Sequence, residues 1–361
     1  MTQFSDWQVG KGTKNAIING DMRVAQRGAS FAAIADATYN LDRWRYYKSG
    51  SMVHTVSRDT STVPSSQFYA SMKFDVTTAD ASIAATDYCM VEQRIEGYNF
   101  NKFRDQTATL SFWVRAGKTG TMCVAVRSGG ADRSYVTEHT INATNTWEKK
   151  EVQIPFGDVT GGTWSAVNNT GVQVDFMLAA GSNLQTTPDA WQTGSYYATS
   201  NQTNFCDNTD STCDVWITGV QLELGSQATD FEFLDFEKQM ALCERYLQTN
   251  YDHGDTPGDG NGPNYSTIYR MFVAWTASAG NVLPIAFRVR MRTSPSVTLY
   301  RPNGLAGTNG RWQYYKGSWI VFNSNGAVTC ETGFNINVQS GAVTIGDSHA
   351  ASGCWVADAE L

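Results

Sequence analysis

Apolar residues in this chain recur mostly at every second position. Val152, Ile154 and Phe156 alternate with other residues, and Val172, Val174, Phe176 and Leu178 do the same. A period of two marks a strand with one face on a core. Each run has one apolar and one mixed face, which predicts sandwich strands. In VWITGVQLELG the parity breaks. Val215 and Ile217 share one phase, Val220, Leu222 and Leu224 share the other, and Thr218 and Gly219 stand at the switch. A β-bulge at Gly219 would turn all five apolar residues toward the core.

The period becomes helical in one segment. In DFEKQMALCERYLQ, Phe236, Met240, Cys243 and Leu247 recur at spacings of four, three and four, Asp235 stands at the N-cap position, and Gly254 and Pro257 follow. A helical connector is therefore predicted over 235–250. A helix of about 14 residues is marginal alone, so the stripe must pack on something. Either it covers a sheet, or Phe236, Met240, Cys243 and Leu247 form an interface between copies at a trimer axis.

Around this connector the pattern divides the chain. Residues 1–14 form a polar arm carrying Phe4 and Trp7, read either as a docking peptide or as a terminal strand packed on its own domain. Residues 15–230 read as a sandwich, opening with a strand in NAIINGDMRV. Within it, between Gly181 and Cys213, alternation dissolves into a long polar stretch of the kind that is functional or packs across a surface. DTPGDGNGPN at 255–264 is a linker by composition. Beyond it, IAFRVRM, SVTLY, SWIVF, FNINV and AVTI predict a smaller β domain over 265–361. The expected fold class is all-β: a jelly-roll β-sandwich, a short helix and a C-terminal β domain.

Composition narrows the function classes. At 361 residues the chain exceeds what one core usually serves, and 32 glycines with few charged residues favour short strands and turns. A net charge of −7 argues against a phosphate-binding surface, so nucleic acid is not an expected partner. The opening MTQFSDWQVGKGTK lacks a basic start and apolar run, and no apolar stretch approaches the roughly 18 residues of a membrane span. Synthesis in a cytoplasm without membrane insertion is expected. The 11 Trp and 16 Tyr suit either wide sheet cores or sugar-facing surfaces. Seven cysteines at irregular spacing show no paired CxxC pattern. Buried thiols are expected, and Cys206 and Cys213 are expected not to pair, although an oxidising medium would allow it.

Motifs for the common chemistries are missing: there is no GxSxG, GxxxxGK, GxGxxG or HExxH, and His54, His139, His253 and His349 stand far apart. No catalytic residue is assigned and an enzyme is not expected. Surface-polysaccharide hydrolysis is the enzymatic alternative, because two carboxylates can converge from anywhere in a fold. No cofactor is expected beyond a structural calcium ion. Asp21, just after the opening strand, and Glu223, on the last strand, could share such an ion if their strands adjoin; a salt bridge to Arg23 or Arg43 is the competing fate. Sugar binding needs flat rings and amide or carboxylate partners. Trp191, Tyr196, Tyr197 and Asn201, with Gln202 and Asn204, supply both within one loop, unless the rings cap the end of the sandwich.

The order of several segments resembles a known family. NAIINGDMRVAQRGASF, YNLDRWRYY, SFWVRAGKTGTMCVAV, WITGVQLELGSQATDFE, FEKQMALCERYLQ and the terminal WVADAEL touch nearly the whole chain. In that order they are similar to tailed-bacteriophage tail-fibre and virion appendage proteins that carry a jelly-roll module like those of carbohydrate-binding modules. The resemblance implies a virion protein, a homotrimer held by tail or head proteins and presented to host surface glycan. A purely structural adaptor or a capsid-decorating protein is the alternative. It also implies that first and last strands adjoin, which bears on the calcium site. This chain has Met22 and Arg23 where sugar-binding relatives often carry an acidic ligand, and Met22 and Ala25 where others carry aromatics.

Overall fold

The computed structural model describes residues 13–209, 213–258, 268–273, 281–301, 311–315, 319–323, 328–338, 346 and 348–361. Phe4, Trp7, most of DTPGDGNGPN and the AVTI segment lie outside them.

Two antiparallel sheets face each other across the N-terminal part of the chain. The first runs in the order Ser30–Phe31, Val53–Asp59, Ser71–Thr78, Val215–Leu224, Thr107–Ala116, Glu148–Pro155. The second runs Trp191–Thr193, Arg133–Ile141, Gly120–Ser128, Thr170–Ala180, Tyr88–Glu96, Trp44–Ser49, Thr38–Tyr39. Neighbours are mostly distant in sequence, so the chain crosses repeatedly between sheets, as in a jelly roll. Trp44, Phe74, Phe112, Phe156 and Phe176 fill the space between them. At the centre, Phe176 meets Phe112 at a centroid separation of 5.0 Å and Trp44 at 6.1 Å.

The bulge forms. The register of Val215–Leu224 on Thr107–Ala116 shifts between Thr218 and Gln221, and Gly219 takes φ +61°. Val215, Ile217, Val220 and Leu222 all enter the core between the sheets. Leu224 does not: at the strand's last position it is 45% exposed, because the rim of the sandwich is open there.

Other expectations need correction. NAIINGDMRV is a turn rather than a strand. Asn15 Nδ2 donates to the Val220 carbonyl, the Asn15 side-chain oxygen accepts from Leu222 N, and Val220 N donates to the Gly20 carbonyl. These bonds hold the turn beside the last strand, satisfying backbone groups that the bulge leaves without ladder partners. The strand Thr170–Ala180 is buried on both faces, Gln173, Asp175 and Met177 included, because the 181–205 stretch crosses its outer side. In the C-terminal domain the strand near IAFRVRM is Asn281–Ala286, with Pro284 at a sheet edge where a missing N–H is tolerated.

The helix covers only Phe236–Glu244, and Asp235 makes no side-chain capping bond; its carbonyl accepts from Gln239 N. The chain then turns, and Leu247–Thr249 becomes a strand paired with the long strand Ser348–Asp358. Ile268–Val273, Ser296–Tyr300 and Arg311–Tyr315 pair with the same long strand, and Trp319–Asn323 extends that sheet. A second sheet joins Asn281–Ala286, Gly333–Val338 and Val328–Cys330. The predicted trimer stripe is therefore largely spent inside the chain. Cys243 packs with Ile18, Val24 and Tyr246, Met240 lies against them, and Leu247 is buried in its strand. Phe236 alone stays exposed, edge-on to His253.

The sandwich and the C-terminal sheets meet at a buried arginine. Arg43, whose side chain is 1% exposed, pairs with Glu360, 4% exposed, and its guanidinium lies 3.5 Å from the centre of the Tyr246 ring. Arg43 Nη2 also donates to the Arg94 carbonyl at 2.5 Å. Around it, Arg245 and the Tyr246 hydroxyl bond Glu96, Arg27 reaches Asp358 and Glu360, and Arg292 donates to the Ala359 and Glu360 carbonyls.

Two stability tests follow from this geometry. Gly219→Ala must place a side chain at positive φ, with its Cβ 2.9 Å from Phe68 and Trp113. It is expected to cost at least about 1 kcal/mol in urea unfolding. Glu360→Ala leaves the Arg43 cation buried without its carboxylate and is expected to cost about 3–5 kcal/mol. Its loss is expected to appear first as faster proteolysis between the sandwich and the C-terminal sheets. Unchanged unfolding and cleavage would deny Arg43 its role as the pin.

Candidate functional site

The outer face of the second sheet collects the chemistry. Along Tyr88–Glu96, Val91 and Ile95 point into the core while Tyr88, Met90, Glu92 and Arg94 point outward. The adjacent strands present Arg45 and Tyr47 on one side, and Gln173, Asp175, Cys123, Ala125 and Arg127 on the other. Register sets the rows: Arg45, Glu92, Asp175 and Ala125 lie abreast, and Arg94, Gln173 and Arg127 lie abreast.

Arg127 organises this face. It binds Asp175 through Nε at 2.6 Å and Nη1 or Nη2 contacts reach Glu92 at 2.9 Å, Gln173 at 3.0 Å, and Ser195 at 3.2 Å. Its guanidinium stands 4.3 Å from the centre of the Tyr197 ring. Tyr197 in turn stacks on Tyr88, with centroids 5.9 Å apart and planes within 1° of parallel. Arg94 joins the Glu92 carboxylate at 2.6 Å and the Tyr47 hydroxyl at 2.9 Å. Burial, and then the Asp175 charge, push Glu92 up to about 7 against the pull of Arg94 and Arg127. Burial likewise raises Tyr47 and Tyr88. The result is a half-buried patch with three tyrosine rings over a connected set of donors and acceptors.

The segment expected to carry the site crosses this face, and its residues separate. Tyr196 and Tyr197 pack on Met90, Cys123, Met177 and Ala180 of the outer face. Trp191 goes to the opposite side of the sheet, against the inter-sheet core. Its indole N–H donates to the Pro155 carbonyl at 2.9 Å, and its ring meets Tyr135, Phe156 and Trp164. Trp191 therefore closes the end of the sandwich and is removed from the sugar-facing group. Asn201 is exposed, and its Nδ2 donates to Glu138 at 3.0 Å. Gln202 and Asn204 are committed to backbone groups, Gln202 accepting from Cys123 N and Asn204 donating to the Asp80 carbonyl.

Asp21 and Glu223 do not share a ligand cluster. Asp21 is held by Arg23, and Glu223 accepts from Thr229 and Gln221, with Lys14 at 3.9 Å. The salt-bridge fate applies to Asp21, and the turn that carries it, rather than a strand, sets its direction. Cys206 and Cys213 also go separate ways: Cys213 donates to Asp207, and Cys206 enters the core between the sheets.

Tyr47, Tyr88, Glu92, Arg94, Arg127 and Asp175 were not singled out from sequence. The alternation that predicted strands contained the signal, since the outward phase of Tyr88, Met90, Glu92 and Arg94 holds a ring and two opposite charges. Which strands adjoin it is a matter of topology.

No family model matches the chain, and no curated protein matches it. Among solved structures it is similar to the enzymatically active domain of tailspike protein 4 of bacteriophage CBA120, at 14% identity and a TM-score of 0.30. That match covers 54% of this chain and only 21% of the tailspike chain. It is also similar to the family 11 carbohydrate-binding module of Clostridium thermocellum, at 11% identity and a TM-score of 0.30, covering 56% of this chain and 98% of the module. A third similar structure is TmCBM61 in complex with β-1,4-galactotriose, at 10% identity and a TM-score of 0.30, covering 60% of this chain and all of that one (100%).

Proposed function

We propose that this chain is a non-enzymatic attachment protein of a phage virion, and that it retains host surface glycan on the outer face of its second sheet. The observation that carries the binding half is the parallel Tyr88–Tyr197 pair standing beside Tyr47, Arg94 and Glu92. Flat rings accept the apolar side of a pyranose, while the partly exposed Arg94 guanidinium, held in place by the buried Glu92, donates to its hydroxyls. The virion half rests on the order of segments from NAIINGDMRV to WVADAEL. Assembly as a trimer on tail or head proteins belongs to the same proposal. With the helical stripe largely buried, the exposed Leu224 and Phe233 beside the first sheet are among the apolar side chains left for it.

The carboxylates of this face favour binding over hydrolysis. Glu92 and Asp175 are opposite each other in register and share one guanidinium. A hydrolase pair would instead flank the scissile bond. Tyr88→Ala and Tyr197→Ala are each expected to weaken retention on purified host surface glycan about 2- to 10-fold, the worth of one stacked ring, at unchanged melting temperature. Trp191→Ala is expected to do the reverse, lowering the melting temperature and sparing retention. Equal retention by both tyrosine variants would remove the site and leave the structural-adaptor reading. Reducing ends released by the wild type and lost in Glu92→Gln would make the chain a hydrolase.

Glu92 also predicts a pH signature. Its folded pKa lies above the ordinary carboxylate value, so the folded chain holds a proton that the unfolded chain releases. The stability it contributes is full below the unfolded value near 4.5 and is lost as pH rises through about 7. Among the groups that face it, Arg94 and Arg127 stay charged and Tyr39 and Tyr47, raised by burial, stay neutral throughout that window. His139 is lowered by burial to about 4 and works in the opposite sense, gaining stability as pH rises. The measurable quantity is therefore the wild-type stability minus that of Glu92→Gln. It is expected to fall between pH 4.5 and 7; a difference flat across that range would contradict the assignment.

A further inference from the structure

We propose that His54, Cys89 and Cys206 form a structural zinc site inside the sandwich. Among the described residues this is the group of His, Cys, Asp and Glu side chains whose ligand atoms converge, all within 4.8 Å of one another. The three come from separate parts of the fold. His54 lies on Val53–Asp59 of the first sheet, Cys89 on Tyr88–Glu96 of the second, and Cys206 just beyond the segment that crosses the outer face. All three are fully buried.

The donor geometry suits a tetrahedral ion. Cys89 Sγ stands 3.9 Å from His54 Nδ1 and 3.4 Å from the Tyr46 hydroxyl, and that hydroxyl is 2.8 Å from Nδ1. With metal–sulfur bonds of about 2.3 Å and metal–nitrogen bonds of about 2.0 Å, ligand atoms around zinc stand about 3.5–4 Å apart. Small shifts bring the two thiolates and the imidazole onto one ion as three of its ligands. Two thiolates and a neutral imidazole select a thiophilic ion rather than calcium or magnesium.

Charge explains why such a site tolerates burial. Binding Zn²⁺ releases the two thiol protons to solvent, and two thiolates with one divalent cation sum to zero. A neutral cluster avoids the cost of an isolated buried ion. The ion would tie both sheets to the end of the segment that carries Tyr197, a clamp that does not depend on glycan binding.

The test is the metal content of the untagged full chain after dialysis against Zn²⁺ and then buffer. One zinc per chain is expected in the wild type and in Cys123→Ser, whose buried thiol lies outside the cluster, and none in Cys89→Ser or Cys206→Ser. Co²⁺ in its place is expected to give tetrahedral visible bands and thiolate-to-metal charge transfer. Chelation is expected to lower the wild-type melting temperature by several degrees, with stoichiometric Zn²⁺ restoring it; these two measurements decide the matter even if the serine variants do not fold. No bound metal, zinc retained by Cys89→Ser, or two thiols consumed in a Cys89–Cys206 disulfide would each overturn the site.

Discussion

The arrangement of the whole chain depends on the burial of Arg43. A guanidinium does not lose its charge at any relevant pH, so it enters a protein interior only where fixed partners replace its water. Here the partners come from distant parts of the sequence: Glu360 from the terminus, the Tyr246 ring from the end of the helix, and the Arg94 carbonyl from the second sheet. Each partner is itself held. Tyr246 donates to Glu96, which also binds Arg245, and the backbone next to Glu360 is held by Arg292. The sandwich, the helix and the long C-terminal strand are therefore placed relative to one another by one cation and its satisfied neighbours.

This explains the segments that resembled one family in their order. Asp42 accepts from the Gln26 backbone and side chain, Trp44 donates to the Asn19 carbonyl, and Asn19 bonds Val24 and Asp42. The ING turn, the DRW segment, the CERY helix end and the ADAEL terminus thus meet around Arg43. Their chemistry is that of assembly within the chain. The outer face that carries Tyr88, Glu92, Arg94 and Tyr197 lies elsewhere.

Packing also divides the aromatic residues by role. Trp191, Trp164, Phe100 and Phe156 close one end of the sandwich as a ring-on-ring cluster. Tyr88 and Tyr197 stack on the outer face with Arg127 beneath. The difference follows from parity and edges. Trp191 faces inward on a short edge strand paired with Tyr135, while Tyr197, beyond that strand, folds back over the outside.

By itself the sequence determined the all-β class, the sandwich strands, the bulge at Gly219 and the start of the helix, because these are set by local period, turn chemistry and the conformational freedom of single residues. Tertiary structure decided what depends on neighbours remote in the chain. Leu247 left the helical pattern because pairing with Asp358 supplied its backbone bonds. NAIINGDMRV became a turn because the bulged strand beside it needed partners. Trp191 and Tyr197, close in sequence, ended on opposite faces of one sheet. His54, Cys89 and Cys206, spread over 152 positions with no motif spacing, came together because crossovers between two sheets bring distant strands face to face, and strand order is not written in the pattern of any one strand.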